Sequence, residues 1–239
     1  MSEPLNRRAD EPTPTVLGPA HPCPYLPARD ARFAYAVRMP DGADGFVRLL
    51  DAGFRRSGLY VYRTACGACR ACRPLRLPVD DFRPNRSQRR ALAMNSDLDI
   101  RVGRPAFDPE RLDLFQRYLA ARHDGQMSGD AEEIEAGLYR SPVDTLELTA
   151  RKDGALKVVG IIDAAPSLLS LVYCAFDPAE KRRSLGAAFV QWTLALASSL
   201  GMSHVHLGYW VDGSDTMHYK TRFRPHEVLA DDGTWRRVD

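Results

Sequence analysis

Lysine is scarce in this chain: four of 239 residues, so arginine carries nearly all of its positive charge. No apolar run approaches the roughly 20 residues that a membrane span needs. The N-terminal residues Met1-Ser-Glu-Pro-Leu-Asn-Arg-Arg lack the apolar stretch of a secretory leader. Five cysteines, an odd number, speak against a disulfide framework and, with no export signal, point to the cytoplasm. The six histidines are scattered. No Ser–His–Asp arrangement follows from their spacing, and neither internal repeats nor low-complexity tracts are present. His204 and His206 share one strand face, but no third metal partner is evident beside them.

What is present is concentrated in one place. Cys66, Cys69 and Cys72 form a C-x-x-C-x-x-C run, and Cys23 stands upstream in His21-Pro-Cys-Pro-Tyr-Leu-Pro27. Two-residue gaps on a tight turn let thiolates converge on one soft metal ion, with a fourth ligand from a distant loop. Structural zinc and an iron–sulfur cluster both suit such donors, and ordinary reduced thiols are the plain alternative. The charge is also uneven. Between Arg55 and Arg111 there are 13 Arg and six Asp or Glu, a local excess of +7 in a chain whose net charge is +2. Clustered arginine beside a thiol turn suggests phosphate contact, although arginine here replaces lysine throughout.

Periodicity gives an α+β chain. Residues 1–20 are polar and Pro-rich, a flexible lead-in. Residues 45–63 read as strands, followed by the cysteine turn, a strand at 75–79 and a helix at 87–93. Asp108 and Pro109 open a helix that runs to about His123, closed by Asp124-Gly125. Strands follow at 144–149, 157–162 and 168–176, the last a nearly continuous apolar run fit for a central position. Asp177-Pro178 ends it, and a helix over about 183–200, a strand over 204–210 and a short helix near 217–223 complete the chain. Arg183-x-x-Gly186-x-Ala188 sits between strand and helix, where small residues let backbone N–H groups approach a phosphate. A close-packed helix start explains the same six residues. Tyr209, Trp210, Tyr219 and Lys220 could either line a cleft or pack.

These segments together resemble the bacterial aspartate/glutamate leucyltransferases, relatives of the arginyl-tRNA–protein transferases. The resemblance runs from Cys23 to Trp235. It rests on Cys-Pro-Tyr-Leu-Pro27, Tyr62-Arg63 leading into the three cysteines and Pro74-Leu-Arg76, and Asn85-Arg-Ser-Gln-Arg-Arg90. It continues through Tyr118 to Met127, Phe176-Asp-Pro, Arg183-Ser-Leu-Gly186, Leu207-Gly-Tyr-Trp210 and Met217-His-Tyr-Lys220. Thr64 departs from it, standing where that family often has Pro.

The resemblance implies a Gcn5-related N-acetyltransferase-like mixed sheet at 105–239 behind a small cysteine-bearing region at 21–104. It implies transfer of leucine from leucyl-tRNA to proteins beginning with Asp or Glu, marking them for degradation by the N-degron route, with no cofactor needed for the chemistry and no membrane partner. On this reading Arg63 and Arg76 are candidates to grip the acidic substrate. Arg86, Arg89, Arg90, Arg183 and Gly186 are candidates for the tRNA. Asp177 is a candidate proton acceptor or orienting residue, and also a plain turn residue. Arginyl-tRNA as donor, an acetyl-CoA-dependent N-acetyltransferase and a zinc-ribbon RNA-binding module are the competing readings.

Overall fold

The computed structural model describes residues 13–27, 29–122 and 127–239. The chain opens with short strands β1 (Thr15–Leu17), β2 (His21–Pro22), β3 (Asp30–Ala31) and β4 (Phe33–Ala36), then helix α1 (Gly45–Asp51). Strands β5 (Arg55–Ser57), β6 (Tyr60–Thr64) and β7 (Cys72–Pro78) follow, then α2 (Arg86–Met94), β8 (Asp99–Gly103), α3 (Pro109–Arg122) and α4 (Ala131–Ile134), the last continuing as a π-helical turn, Glu135–Tyr139. The second half holds β9 (Thr145–Lys152), β10 (Ala155–Ala165), β11 (Leu168–Phe176), α5 (Leu185–Ser199), β12 (His204–Val211), a 3-10 helix (Asp215–Arg222), β13 (His226–Leu229) and β14 (Trp235–Val238). The close of α3 at His123 and Asp124-Gly125 lies outside the described residues.

The architecture is α+β, as the sequence predicts. An eight-stranded sheet runs β14-β13-β7-β12-β11-β10-β9-β8, beside a four-stranded sheet β1-β4-β6-β5 and the pair β2-β3. In the large sheet β11 and β12 are parallel, while the other neighbouring pairs are antiparallel. Helix α5 covers one face, where Leu185, Phe189 and Leu194 pack on Val158, Leu169 and Val205. Gly160 of β10 lets α5 come close, since a Cβ there would stand 2.0 Å from the Phe189 ring. Helix α3 covers a second cluster, in which Leu114, Phe115 and Leu119 meet Val159 and Ala175. A third cluster joins α1 and the four-stranded sheet to the large one through Phe46, Leu50, Phe54, Val61 and Leu168.

Three expectations change. Gly45–Leu50, read as strand, is helix α1, because Phe46, Leu49 and Leu50 have helical spacing and form its buried side. Gly53, at φ 82°, ends α1 with Phe54 N–H donating to Leu49 and Gly53 N–H to Leu50, the paired bonds of a Schellman stop. Thr15–Leu17, within the stretch read as a flexible lead-in, is strand β1 paired to β4. The division at 104/105 does not separate two sheets. Strand β7 lies between β13 and β12, and β8 pairs with β9, so the cysteine-bearing segment contributes two strands to the large sheet.

Candidate functional site

The parallel pair β11–β12 is matched over three residues only, Leu168 to Ser170 against His204 to His206. Beyond them β12 shifts register between His206 and Gly208, Gly208 takes φ 82°, and the two strands part. Backbone carbonyls near such a parting need new partners. The Leu171 carbonyl, one residue past the last parallel pair, accepts Arg55 Nη2. The Tyr209 carbonyl accepts Lys220 Nζ at 2.8 Å. Two side-chain cations thus cap the base of the opening.

Aromatic side chains wall it. Tyr118 of α3 stands 4.8 Å from Phe176 and 6.2 Å from Tyr173, and the Arg122 guanidinium lies over Phe176 at 5.5 Å. Burial pushes the Tyr118 hydroxyl up to about 12, with Cys174 adding to it. Tyr219 is partly exposed, yet crowding around its hydroxyl raises it, with Cys174, Tyr118 and Tyr25 adding to it, so these four side chains lie in one neighbourhood. Burial raises the Cys174 thiol as well. The tyrosine and thiol groups of the walls are therefore neutral near pH 7. Tyr25 belongs to both the cleft and the thiol corner: burial lifts it to about 12, with Tyr62, Cys72 and Cys23 contributing.

In the thiol corner, Cys69 N–H donates to the Cys66 carbonyl to form the turn, and Cys23 N–H donates to the Arg29 carbonyl. Arg29 Nη1 reaches Cys69 Sγ at 3.4 Å and Arg32 N–H reaches Cys66 Sγ at 3.5 Å. The Cys69 thiol is lowered, first by a backbone bond from Ala71 and then by Arg29 and Arg70 against some burial. Burial, with Cys66, Cys23 and Cys69 adding to it, lifts the Cys72 thiol to about 12, so the four thiols lie near one another. The donor set suits a soft metal. Among the described residues, however, no three His, Cys, Asp or Glu side chains form a metal-holding group.

The other expected site residues fall in several places. Arg63, on β6, is exposed and lies 5.0 Å over the Phe54 ring. Arg76 is already paired: to Asp51 at 2.7 Å and Glu227 at 2.6 Å, with Trp235 stacked at 4.1 Å. A substrate carboxylate would have to displace one of those acids. Arg183 directs its fork at Asp97, at 2.7 and 2.9 Å, and Nε at Glu180, clasping α5 to the end of α2. Gly186 faces Phe176, whose ring a Cβ would approach to 3.3 Å.

Asp177 accepts from Lys157 at 2.7 Å, Arg117 at 3.2 Å and the Ala179 N–H at 3.1 Å. Burial raises its carboxyl, but these partners outweigh burial and hold it below the usual carboxylate range. Such a carboxylate is a weak base. Arg86, Arg89 and Arg90 all lie exposed on α2, whose start is closed by the Asn85–Gln88 capping box. Asn85 and Gln88 also donate to the Arg222 carbonyl, which carries the basic side of α2 toward Arg222 and Arg224.

Sequence reasoning misses Arg55, Arg56 and Asp163. Both arginines of β5 are buried, since the strand is covered on both faces. Arg56 Nε donates to both oxygens of Asp163 at 2.8 Å, a partner 107 positions away that no local signal could disclose. Two surface grooves are likewise invisible to it. One, of about 410 Å³, is lined by Arg73, Arg224 and Arg236 with Trp210, Val228 and Val238 among its walls. The other, of about 340 Å³, shares Arg73 and adds Arg29, Arg70 and Leu26.

Comparison with known proteins bears on this arrangement. The family described as "Arginine-tRNA-protein transferase, N terminus" matches residues 21–90, and "Arginine-tRNA-protein transferase, C terminus" matches residues 110–230. An aspartate/glutamate leucyltransferase of Chromobacterium violaceum is 40% identical over 222 residues, 91% of each chain. Those of Pseudomonas fluorescens (41%; 87% of this chain and 90% of that one) and Nitrosococcus oceani (42%; 90% and 92%) are similar. Among solved structures, the C-terminal domain of a "Putative Lysylphosphatidylglycerol Synthetase" from Agrobacterium fabrum has TM-score 0.52 at 13% identity, covering 87% of this chain and 79% of that one. At that identity the likeness is one of fold.

Proposed function

The chain belongs to the aspartate/glutamate leucyltransferases of the arginine-tRNA–protein transferase family, and we propose that it moves leucine from leucyl-tRNA onto the α-amine of proteins beginning with Asp or Glu. The observation that carries this reading is the parting of β11 and β12 beneath an aromatic-walled cleft. An aminoacyl ester is already activated, and an α-amine with a pKa near ~7.7–8.0 supplies a free nucleophile at neutral pH. The amine nitrogen bonds to the leucyl carbonyl carbon and the ester C–O bond breaks. The amine sheds a proton as it becomes the amide, and the ribose oxygen leaves with the bond's electron pair and takes one. Positioning and oxyanion stabilisation are then the protein's main tasks. Held by Lys157 and Arg117, Asp177 fits an orienting role better than that of proton acceptor.

The donor lies across the arginine face of α2 and the groove lined by Arg73, Arg224 and Arg236. Backbone phosphates meet those cations. The apolar walls of the groove, Val228, Ala230 and Val238 among them, and a lining without carboxylates among the described residues suit leucine and disfavour arginine. A metal in the thiol corner would be structural, held by Cys23, Cys66, Cys69 and Cys72, and it would fix Tyr25 at the cleft. Cytoplasmic location is part of the same proposal; no helix among the described residues is long and apolar enough to cross a membrane.

Incubation of the protein with a Glu-initiated peptide and, separately, radiolabelled leucyl- and arginyl-tRNA tests the reading. Label from leucyl-tRNA alone supports it. Label from arginyl-tRNA keeps the reaction and changes the donor, and label from neither overturns it.

A further inference from the structure

Arg55 and Lys220 are buried cations at the base of the cleft, each about 8% exposed. Arg55 Nη2 is spent on the Leu171 carbonyl, but Nη1 is buried with no hydrogen-bond partner among the described residues. Asp163, the carboxylate whose charge reaches Arg55, is taken by Arg56 through both of its oxygens and by Thr145. Arg55 and Arg56 therefore share one buried carboxylate, which Arg56 takes, and the Lys220 amine stands near Arg55 with no carboxylate of its own among the described residues. The remaining groups near Arg55 do not redress this. Tyr62 and Tyr209 are held neutral by burial, and His206, pushed well below its usual range by burial and then by Arg55, is neutral too. Burying a cation without an anion is costly, so the arrangement is poised for a negative group that it does not itself contain.

Its position fits the proposed reaction, on which this inference rests. The guanidinium lies against Gly208, where even a Cβ would stand 3.3 Å from Nη2, and Lys220 bonds to the next residue's carbonyl. Both cations therefore sit where β11 and β12 part. Lys220 follows Tyr219 of the cleft wall in sequence, and Tyr25, near Tyr62, links that wall to Arg55's surroundings.

We propose that Arg55 and Lys220 are the receptor for the side-chain carboxylate of the acceptor's first residue. A carboxylate needs only the one free Nη1 donor and a share of the ammonium, and it brings a single negative charge. A backbone phosphate is bulkier, and the exposed arginines and the surface groove serve it better. The assignment moves the acidic grip from Arg63, which is exposed, and Arg76, which is already paired, to the cations left without an acid. It also supplies selectivity. A first residue of Gln or Asn leaves buried charge uncompensated, and sites built around such groups reject the neutral analogue strongly.

The test uses the full chain and matched peptides beginning with Glu or Gln. Transfer from leucyl-tRNA is measured for wild type, Arg55→Met, Arg55→Lys and Lys220→Met, and binding of the two peptides without tRNA is measured by calorimetry. Wild type is expected to favour Glu on the order of 100-fold or more, and the variants are expected to lose most of that ratio through the peptide's KM, with the KM for leucyl-tRNA unchanged. Arg55→Lys keeps a charge and is expected to retain more Glu preference than Arg55→Met. Should Arg55→Met fail to fold, the other two variants carry the comparison. A folded Lys220→Met or Arg55→Lys with the full wild-type Glu-to-Gln ratio overturns the assignment. So does a loss confined to the KM for leucyl-tRNA, which marks a phosphate site. If wild type transfers no leucine yet binds the Glu peptide in an Arg55-dependent way, the receptor stands and the donor reading fails.

Discussion

Replacing Arg56 by Met tests how the smaller sheet, and Arg55 with it, is fixed to the larger one. The Arg56 and Asp163 side chains are 0% and 1% exposed, and Arg56 Nε lies 2.8 Å from both carboxylate oxygens. The rest of the guanidinium donates to the carbonyls of Gly58, Leu138 and Arg140 at 3.1–3.3 Å. Met fills most of the volume but leaves Asp163 without its cation and three carbonyls without a donor. Removing one member of a buried pair costs about 3–5 kcal/mol. At about 2–4 °C per kcal/mol for a protein of this size, Tm falls by roughly 6–20 °C.

The companion change Asp163→Asn separates charge from packing, because the double variant removes the uncompensated carboxylate. It is expected to recover a substantial part of the deficit, so the two effects are not additive. The pH dependence has a fixed sign. Burial already raises Asp163's carboxyl, and the bond from Arg56 opposes that rise. Without Arg56 the folded-state pKa climbs further above the unfolded value. The penalty is then full at neutral pH and shrinks as pH falls toward the unfolded carboxylate value of about 3.9. Urea unfolding at pH 7 and 5 reads both effects. Strict additivity, or a deficit independent of pH, would refute the account of a buried charge that needs its partner.

Three further outcomes are expected. Burial lowers Lys220 to about 7, with Arg55 adding to it. Its folded pKa is thus below the unfolded value, and wild-type stability rises with pH above about 7, by up to about 1.4 kcal/mol per pH unit. Lys220→Met should lack that rise between pH 7 and 9, and parallel urea-unfolding profiles would count against a buried amine that titrates there. Added zinc is expected to raise the wild-type Tm through preferential binding to the folded state but not that of Cys69→Ser; an equal response in both would remove the thiol corner as a metal site. Converting Arg86, Arg89 and Arg90 to Ala should raise the KM for leucyl-tRNA and flatten its salt dependence, by about one slope unit for each phosphate no longer neutralised. An unaltered slope would take α2 out of the tRNA path.

The parts of the fold legible in the sequence are those whose signals are local. Helix α3 is marked by Asp108 accepting from the Arg111 N–H and by its apolar side, and β11 by a long apolar run ended at Asp177-Pro178. Helix α1 reads as strand because Phe-Val-x-Leu-Leu satisfies a short strand as well as two turns of helix, and only the neighbours of Phe46, Leu49 and Leu50 decide between them. The placement of β7 is illegible for another reason. Its partners β12 and β13 lie at 204–211 and 226–229, and nothing within the cysteine segment indicates which distant strands will flank it.

Arginine shows the same limit at the site. The sequence presents thirteen arginines in one basic stretch, and a reader without partners can sort them only by closeness to a motif. By that measure Arg76, beside the cysteine run, ranks above Arg55, as does Arg183 outside that stretch beside its glycine loop. Pairing reverses the order. Arg76 is matched by Asp51 and Glu227, Arg183 by Asp97 and Glu180, and Arg56 by Asp163. Arg55 is buried with one nitrogen left without a partner among the described residues. A folded chain tolerates such a deficit only if the rest of the structure holds it in place, or if something else arrives to remove it. On the proposed function, an acidic N-terminus is the natural source of the missing charge. The arginine most informative about function is thus the one the fold leaves incomplete.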